Sequence, residues 1–404
     1  MAFARPRFLA AELQRALPER PFRIEFWDGT RVPSSDGPGP TFLVRSPAAI
    51  AHAVRAPGQL GLGRAYVSGA LEVDDLDSLI ELLATWKPPP LERSALVRLA
   101  LAALRACGLE RPPRAPAAEL ALRGRAHSRA RDLAAVRHHY DVSNEFFALF
   151  LDRSMTYSCG IFSGGATSLE AAQEKKLELV CRKLDLRAGQ RVLDVGCGWG
   201  SFAIHAAARH RVEVLGVTLS ASQARLARER VGDAGLDDLV EIRVADYRDP
   251  PGGDFDAIAS IGMVEHVGEA QIDAYSGGLA GLLRPGGRLL NHGIARLRHS
   301  DPAAGPFSER YVFPDAEPLH LSRIALALER AGLVIEHVEG FPDDYVETLR
   351  QWAARLDSRL DDAVRLAGPE RVRVWRLYLR AARSGFESGF TSVFQVLCRR
   401  RRPS

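Results

Sequence analysis

Between Arg191 and Gly200 the chain reads Arg191-Val192-Leu193-Asp194-Val195-Gly196-Cys197-Gly198-Trp199-Gly200, an acid followed by glycine at every second position. Glycine lacks the Cβ that would block a ligand's approach to backbone, and it tolerates positive φ. The apolar run ahead of the turn predicts a buried strand, and Ser201-Phe202-Ala203-Ile204-His205-Ala206-Ala207 predicts a helix opening from it. Such a strand, turn and helix hold a nucleotide-type ligand. The spacing D-x-G-x-G-x-G departs from the dinucleotide G-x-G-x-x-G and points to S-adenosylmethionine instead. A dinucleotide site also wants an acid about twenty residues further on, for the ribose. Here the second strand ends Gly216-Val217-Thr218-Leu219-Ser220, with Gln223 one turn later; hydroxyl and amide groups suit a ribose or an amino-acid moiety. Asp246 and Tyr247, after the third strand, could pair with and stack on adenine, the plainer reading of Asp246 being a turn cap.

These groups need a scaffold, and the second half of the chain supplies one. Strands at Arg191–Val195, Glu213–Thr218, Val240–Val244, Phe255–Ile261, 287–294 and 333–338 alternate with helices, the pattern of a doubly wound α/β domain with ligand at the carboxyl ends of its strands. Arg284-Pro285-Gly286-Gly287 predicts a turn into the fifth strand. Residues 345–379 are mostly helical in pattern, and 390–397 form a last strand, expected antiparallel at the sheet edge. Ahead of this lies a small α+β domain. Phe22 to Trp27 alternates apolar and polar before an Asp28-Gly29 hairpin turn, 41–45 is a strand, and Ser46-Pro47 caps a helix. Helices follow over 76–86 and 91–109. The expected division is an N-terminal domain over 1–110 for lipid positioning or dimerisation, a linker over 111–136 and a catalytic domain over 137–404.

With 404 residues the chain can bury two cores, and 26% charged residues is ordinary for a globular protein. A net charge of +4 is too small to imply nucleic acid binding. Its distribution says more. Arg111, Arg114, Arg123, Arg125, Arg129, Arg131 and Arg137 face only Glu119 and Asp132, and Arg399-Arg400-Arg401-Arg402 lies near the end. A solvated face accounts for this; so does attraction to an anionic membrane surface, worth roughly 1 kcal/mol per basic residue. Five cysteines without C-x-x-C spacing give no disulfide framework and no metal site. There is no signal-peptide h-region, and no apolar run reaches the ~18 residues of a membrane span. A cytoplasmic, peripherally membrane-associated protein is expected.

Several separate stretches share one resemblance. His139-Tyr140-Asp141-Val142-Ser143-Asn144-Glu145-Phe146-Phe147, then Met155-Thr156-Tyr157-Ser158-Cys159, precede the glycine turn; Met263-Val264-Glu265-His266-Val267-Gly268 and His292-Gly293-Ile294 follow it. With Gly198-Trp199-Gly200 and the 216–220 run, the chain from about Arg137 onward is similar to the cyclopropane-fatty-acid synthases and mycolic-acid cyclopropane synthases. The N-terminal domain resembles that of the longer bacterial fatty-acid enzymes. The resemblance implies a class I methyltransferase fold, Rossmann-like, with a seven-stranded doubly wound sheet.

The implied reaction is attack of the S-adenosylmethionine methyl on the cis double bond of an unsaturated phospholipid chain. An alkene is a poor nucleophile, so donor and acceptor must be held in line with water excluded. Aromatic faces stabilise the resulting carbocation, and a base then removes a proton so that a cyclopropane closes. The same cation can instead end as a methylene- or methyl-branched, tuberculostearic-type acid. A non-catalytic lipid-binding protein is the alternative of a different class.

In the family the base is a bound bicarbonate, whose shell carries over to Cys159, Glu265, His292, Tyr345 and the backbone N–H of Ile294. Cofactor contacts carry over to Tyr157, Ser158, Gly196, Gly198, Thr218, Leu219, Gln223, Tyr247 and Ile261; Asp194, Gly200 and Asp246 complete the expected set. Each has a plainer reading: Cys159 as a buried hydrophobe, Glu265 as a helix N-terminal acid, His292 as a core residue. Phe307 and Tyr311-Val312-Phe313-Pro314 line either an acyl channel or the core. Two departures stand out. Ser143 replaces the glycine of many members, and 339–344 lacks the family's Asn-containing form, although Thr348-Leu349 and Trp352 after Tyr345 fit. The implied partners are an unsaturated phospholipid, an anionic membrane surface and a second copy of the chain in a homodimer.

Overall fold

The computed structural model describes residues 6–107, 113–120, 124–125, 127–140, 142–249, 252–301 and 305–402. Arg111, Arg123 and Asp141 lie outside the described residues. The chain forms two compact units. The first gathers Met1–Ala121 with two later segments, Gly305–Val312 and Ala367–Ser384, and the second holds the remainder. A single boundary before residue 137 therefore does not describe the partition.

In the first unit, β1 (Arg23–Phe26) pairs antiparallel with β2 (Arg31–Val32) and parallel with β3 (Thr41–Val44), and β3 pairs antiparallel with β4 (Leu71–Val73). The expected hairpin forms, with Asp28 accepting from the Thr30 N–H at 2.9 Å. Ser46 precedes the helix Pro47–Arg55 but its hydroxyl makes no cap bond, so the proline alone sets that start. The later segments are tied in by polar contacts. Tyr311 donates to Glu119 at 3.0 Å, Glu119 binds Arg64 through both oxygens, and the Ala118 N–H donates to Glu370. Phe307 stacks on Tyr311 with ring centroids 4.9 Å apart and packs over Gly63.

The second unit is a seven-stranded sheet. Its strands are β5 (Arg191–Val195), β6 (Glu213–Thr218), β7 (Val240–Val244), β8 (Phe255–Ile261), β9 (Leu283–Arg296), β10 (Leu333–Gly340) and β11 (Thr391–Arg400), in the order β10-β11-β9-β8-β5-β6-β7. Strand residues alternate between two cores, Val192, Val214 and Ala257 on one face and Leu193, Leu215 and Ile258 on the other. That double burial is why these segments read as continuous apolar runs. The 284–287 turn is absorbed into β9 as an irregularity: Leu283 pairs with Phe255, and the next pair is Arg288 with Ala257.

One expectation is corrected. β11 is antiparallel, but it lies inside the sheet, between β9 and β10. Its run from Val393 to Cys398, buried except at Phe394, is that of an interior strand. Among the described residues no helix is long and apolar enough to cross a membrane.

The glycine turn packs backbone against a neighbouring loop. Gly196 has φ +77°, and a Cβ there would stand 2.5 Å from the Met263 side chain. Gly196→Ala is therefore expected to cost about 1–2 kcal/mol for the left-handed backbone alone, with the clash adding to it. Urea unfolding should show a lower midpoint at an unchanged slope; an unchanged midpoint would remove the close-approach argument.

Candidate active site

The segment 152–163 carries Tyr157, Ser158 and Cys159, and it has no regular structure of its own, so side chains hold it. Asp152 accepts from the N–H groups of Ser154 and Thr156 at 2.8 and 2.9 Å. Gln173 donates to the Ser158 carbonyl at 2.8 Å, and Lys176 donates to the Ser158 hydroxyl at 2.9 Å. From the other side, Thr348 accepts from the Gly160 N–H at 3.0 Å, while Asp344 accepts from Phe162 and Ser163 at 2.6 Å each. Gln173 and Lys176 sit on the buried face of the helix Leu169–Leu184, among Ala172, Leu177 and Val180.

Glu265 follows the carboxyl end of β8, and His292 lies within β9 opposite Ile261, the last residue of β8. Glu265 lies in a short 3-10 helix over Val264–His266, and the Gly262 N–H donates to the His292 carbonyl at 2.8 Å. Gly293 makes the juxtaposition possible, because a Cβ there would strike Val264 and come within 3.0 Å of Glu265 Oε2. The N–H of Ile294 interacts with the Glu265 carboxyl. Both side chains keep a buried atom without a hydrogen bond, Glu265 Oε2 and His292 Nε2.

Phe341 joins the remaining members. Its N–H donates to the Val393 carbonyl at 3.0 Å, and Val393 is the register partner of Ile294. Its own carbonyl accepts from the Tyr345 N–H at 3.1 Å and from the Cys159 thiol at 3.8 Å. Cys159 and Tyr345 are thus fastened to Phe341 directly, and Ile294 only by way of Val393. The Tyr345 ring packs on Phe386 at 4.6 Å and meets Trp352 at 6.2 Å.

Burial governs the electrostatics. It raises the Glu265 carboxyl to about 7, with the Glu265 and Ile294 N–H groups pulling back. It lowers His292 to about 3, helped by Lys176 and Lys183, and His266 to about 4, helped by His127. The Cys159 thiol is pushed up by burial and by Asp344. At neutral pH the site thus holds a neutral imidazole, a neutral thiol and a carboxyl poised to exchange its proton. Lys176, drawn down to about 8 by burial, acts on Cys159, Asp194 and His292 together, so donor loop and acid site share one field.

The expected cofactor residues gather at the ends of β5, β6 and β7. Gly196, Gly198 and Gly200 all have positive φ, and Gly200 precedes the helix Ser201–His210. Buried Asp194, raised to about 7 by burial, leaves Oδ2 without a hydrogen bond. Thr218 donates to Gln223 at 2.8 Å, and Ser220 caps the helix Ala221–Asp233, with half-buried Leu219 between them. Asp246 is held by Arg248 at 2.6 and 2.8 Å, which more than offsets the raising effect of burial and leaves its carboxyl below the usual range. Tyr247 meets Tyr275 edge-on at 5.5 Å, and Ile261 pairs with His292.

Around Tyr157 stand Trp352 at 5.2 Å, Phe147 at 5.6 Å, His139 at 5.7 Å and Tyr140 at 6.3 Å. That is a wall of π faces able to stabilise a cation. Phe313 stacks on His139 at 4.3 Å and meets His266 at 5.3 Å, whereas Phe307 and Tyr311 serve packing and hydrogen bonding in the first unit. The basic stretch is partly consumed internally: Arg131 pairs with Asp315, Arg129 with Asp249 and Arg399 with Glu336.

Three residues escaped sequence reasoning: Lys176, Lys183 and Gln395. The signal was present for two of them. Lys176 falls at a core position of an amphipathic helix, and Gln395 interrupts the apolar run Val393-Phe394-Gln395-Val396-Leu397.

The chain is similar to known proteins. A family model described as mycolic acid cyclopropane synthetase matches residues 127–396. A Mycobacterium tuberculosis protein named probable fatty acid methyltransferase is 40% identical over 96% of this chain and 92% of its own length. The cyclopropane-fatty-acyl-phospholipid synthase of Escherichia coli K12 is 34% identical over 84% of this chain and 83% of its own. A crystal structure of a mycolic acid cyclopropane synthase complexed with SAH superposes with a TM-score of 0.63 at 30% identity, covering 66% of this chain and 98% of that one. Likeness of this breadth places the chain in the mycolic acid cyclopropane synthetase family of S-adenosylmethionine-dependent lipid methyltransferases.

Proposed function

We propose that the protein methylates the cis double bond of an unsaturated phospholipid acyl chain and completes the reaction as a cyclopropane. The observation that carries this reading is the pair of buried atoms without a hydrogen bond, Glu265 Oε2 and His292 Nε2, with Tyr140 of the aromatic cluster near enough to feel the Glu265 charge. Methyl transfer to a nitrogen or oxygen also releases a proton but leaves no carbocation; transfer to an alkene needs both cation stabilisation and a route for a proton. The donor set also suits a small anion. The Cys159 S–H, a His292 N–H, the Ile294 N–H and the Tyr345 hydroxyl are the groups that would hold bicarbonate, with Glu265 placed to take up a proton. Bound there, bicarbonate would supply a base that can take a proton and pass it on. The chain's own residues keep the site dry and neutral, so that the carboxylate form of Glu265 is a strong acceptor.

A second reading ends the reaction in a methylene- or methyl-branched acid. The relative named a fatty acid methyltransferase, with its higher identity and wider coverage, favours it. Ring and methylene products have equal mass, so proton NMR of the lipid formed from oleoyl phospholipid decides between them. Upfield ring protons are expected, and vinylidene protons would overturn the ring assignment. Purging carbon dioxide and bicarbonate should lower the rate, and adding bicarbonate should restore it.

Glu265 also predicts a pH signature. Its carboxyl is raised from 4.5 to about 7, so the folded protein holds this proton more tightly than the unfolded chain. The stabilising contribution is complete below about 4.5 and is lost as pH rises through 7, by at most about 3 kcal/mol at ~1.4 kcal/mol per unit. Glu265→Gln escapes that loss. It should unfold at higher urea than the wild type at pH 8, with the difference closing toward pH 5, while kcat falls about 100-fold or more. Equal urea midpoints at both pH values would remove the buried-acid argument.

A membrane surface is the expected source of the substrate. Support comes from the helix Arg93–Cys107, where Leu96, Val97, Leu101 and Leu104 are each about half exposed beside Arg93, Arg98 and Arg105, with no acid in the helix. Exposed leucines flanked by arginines suit an anionic bilayer. Vesicles containing anionic lipid should co-sediment the protein, and Leu101→Asp with Leu104→Asp should release most of it. Binding indifferent to both the substitutions and salt would count against this face.

A further inference from the structure

The resting tautomer of His292 is fixed from behind. Glu339, Gln395, His292 and Ile261 form one cross-strand row over β10, β11, β9 and β8. Directly opposed residues share a sheet face, and over this face lies the helix Leu169–Leu184, which lowers Lys183 onto the row. Lys183 Nζ donates to Gln395 Oε1 at 2.6 Å and to Glu339 Oε2 at 2.5 Å. An ammonium has no acceptor, so the oxygen of the Gln395 amide must face the lysine and its NH2 must face the other way. That NH2 meets His292 Nδ1 at 3.2 Å. Gln395 is fully buried and His292 is 1% exposed, so water offers neither group another partner.

We propose that Lys183 and Gln395 are positioning residues that hold His292 as the Nε2–H tautomer. A donor facing Nδ1 makes that nitrogen the acceptor and puts the ring's only proton on Nε2. Nε2 is the buried ring atom without a hydrogen bond in this structure. The imidazole therefore presents a fixed N–H to any anion in the site and cannot itself act as the base. Proton uptake falls to the neighbouring carboxyl, and His292 orients what binds. This deepens the reading of the site given above, yet its test reads the ring rather than the lipid product. The two can therefore fail separately.

The test is long-range proton–nitrogen NMR of the full-length protein labelled with 15N-histidine and saturated with S-adenosylhomocysteine, with His292 assigned by its loss in His292→Gln. The wild type should show Nδ1 as a bare acceptor and Nε2 carrying the proton. In Gln395→Glu the carboxylate can only accept, so the proton should move to Nδ1. In that variant kcat should fall about 100-fold or more, while KM for S-adenosylmethionine changes less than about twofold. Lys183→Met frees the amide to turn, and the exclusive Nε2–H signal should be lost even though Lys183 makes no hydrogen bond to the ring. If Gln395→Glu does not fold, Lys183→Met carries the same decision. A wild-type Nδ1–H signal overturns the proposal, and so does an unchanged Nε2–H signal in the variant that decides.

Discussion

The antiparallel pairing of β11 with β9 is the constraint on which the site depends. It places Gln395 opposite His292 and Val393 opposite Ile294. Through the carbonyl of Val393 it also anchors Phe341, and with it Cys159 and the first turn of the helix Pro342–Asp357. A slip of one residue would turn every side chain of β11 to the opposite face. Gln395 would then leave the histidine, and Phe394 or Val396 would stand opposite it. The register is well determined, because β11 is hydrogen-bonded on both sides and buried along most of its length.

Removal of water is the second organising fact. Glu265, His292, Asp194, Lys176 and Cys159 are all buried, and each is pushed toward its neutral form. Such a site costs stability, since unpaired polar atoms in an apolar interior are unfavourable. The scaffold around it is correspondingly rigid: two continuous cores on either face of the sheet, and a loop over 152–163 clamped by five side chains. The strain of holding acids and bases dry is carried by elements that do no chemistry themselves.

Much of this was legible in the residues. Four of the parallel strands match their expected bounds from end to end: three are buried on both faces and read as apolar runs, and β7 at the edge alternates Val240 and Ile242 with Glu241 and Arg243. The glycine turn was equally plain, since only a ligand or a close backbone contact asks for three glycines so spaced. What stayed hidden depended on pairing across the sheet. The interior place of β11 could not be read from its own sequence, which suits an edge or a centre alike. For the same reason Gln395 looked like one polar residue in a strand, and Lys183 like one basic residue near a helix end. Their meaning appears only when three elements distant in sequence meet. The two later segments that join the first unit were hidden likewise, for Tyr311 and Glu119 are far apart along the chain.

Gly293 has a consequence for reading relatives of this protein. Its missing Cβ lets β9 approach the short helix that carries Glu265, where a side chain would strike Val264 and crowd Glu265. Position 293 therefore works as a marker in sequence. A chain of this fold with a larger residue there would have to shift the counterpart of Val264 and, by less, the end of the Glu265 side chain. A glycine flanked by His and Ile says that the two halves of the site still meet.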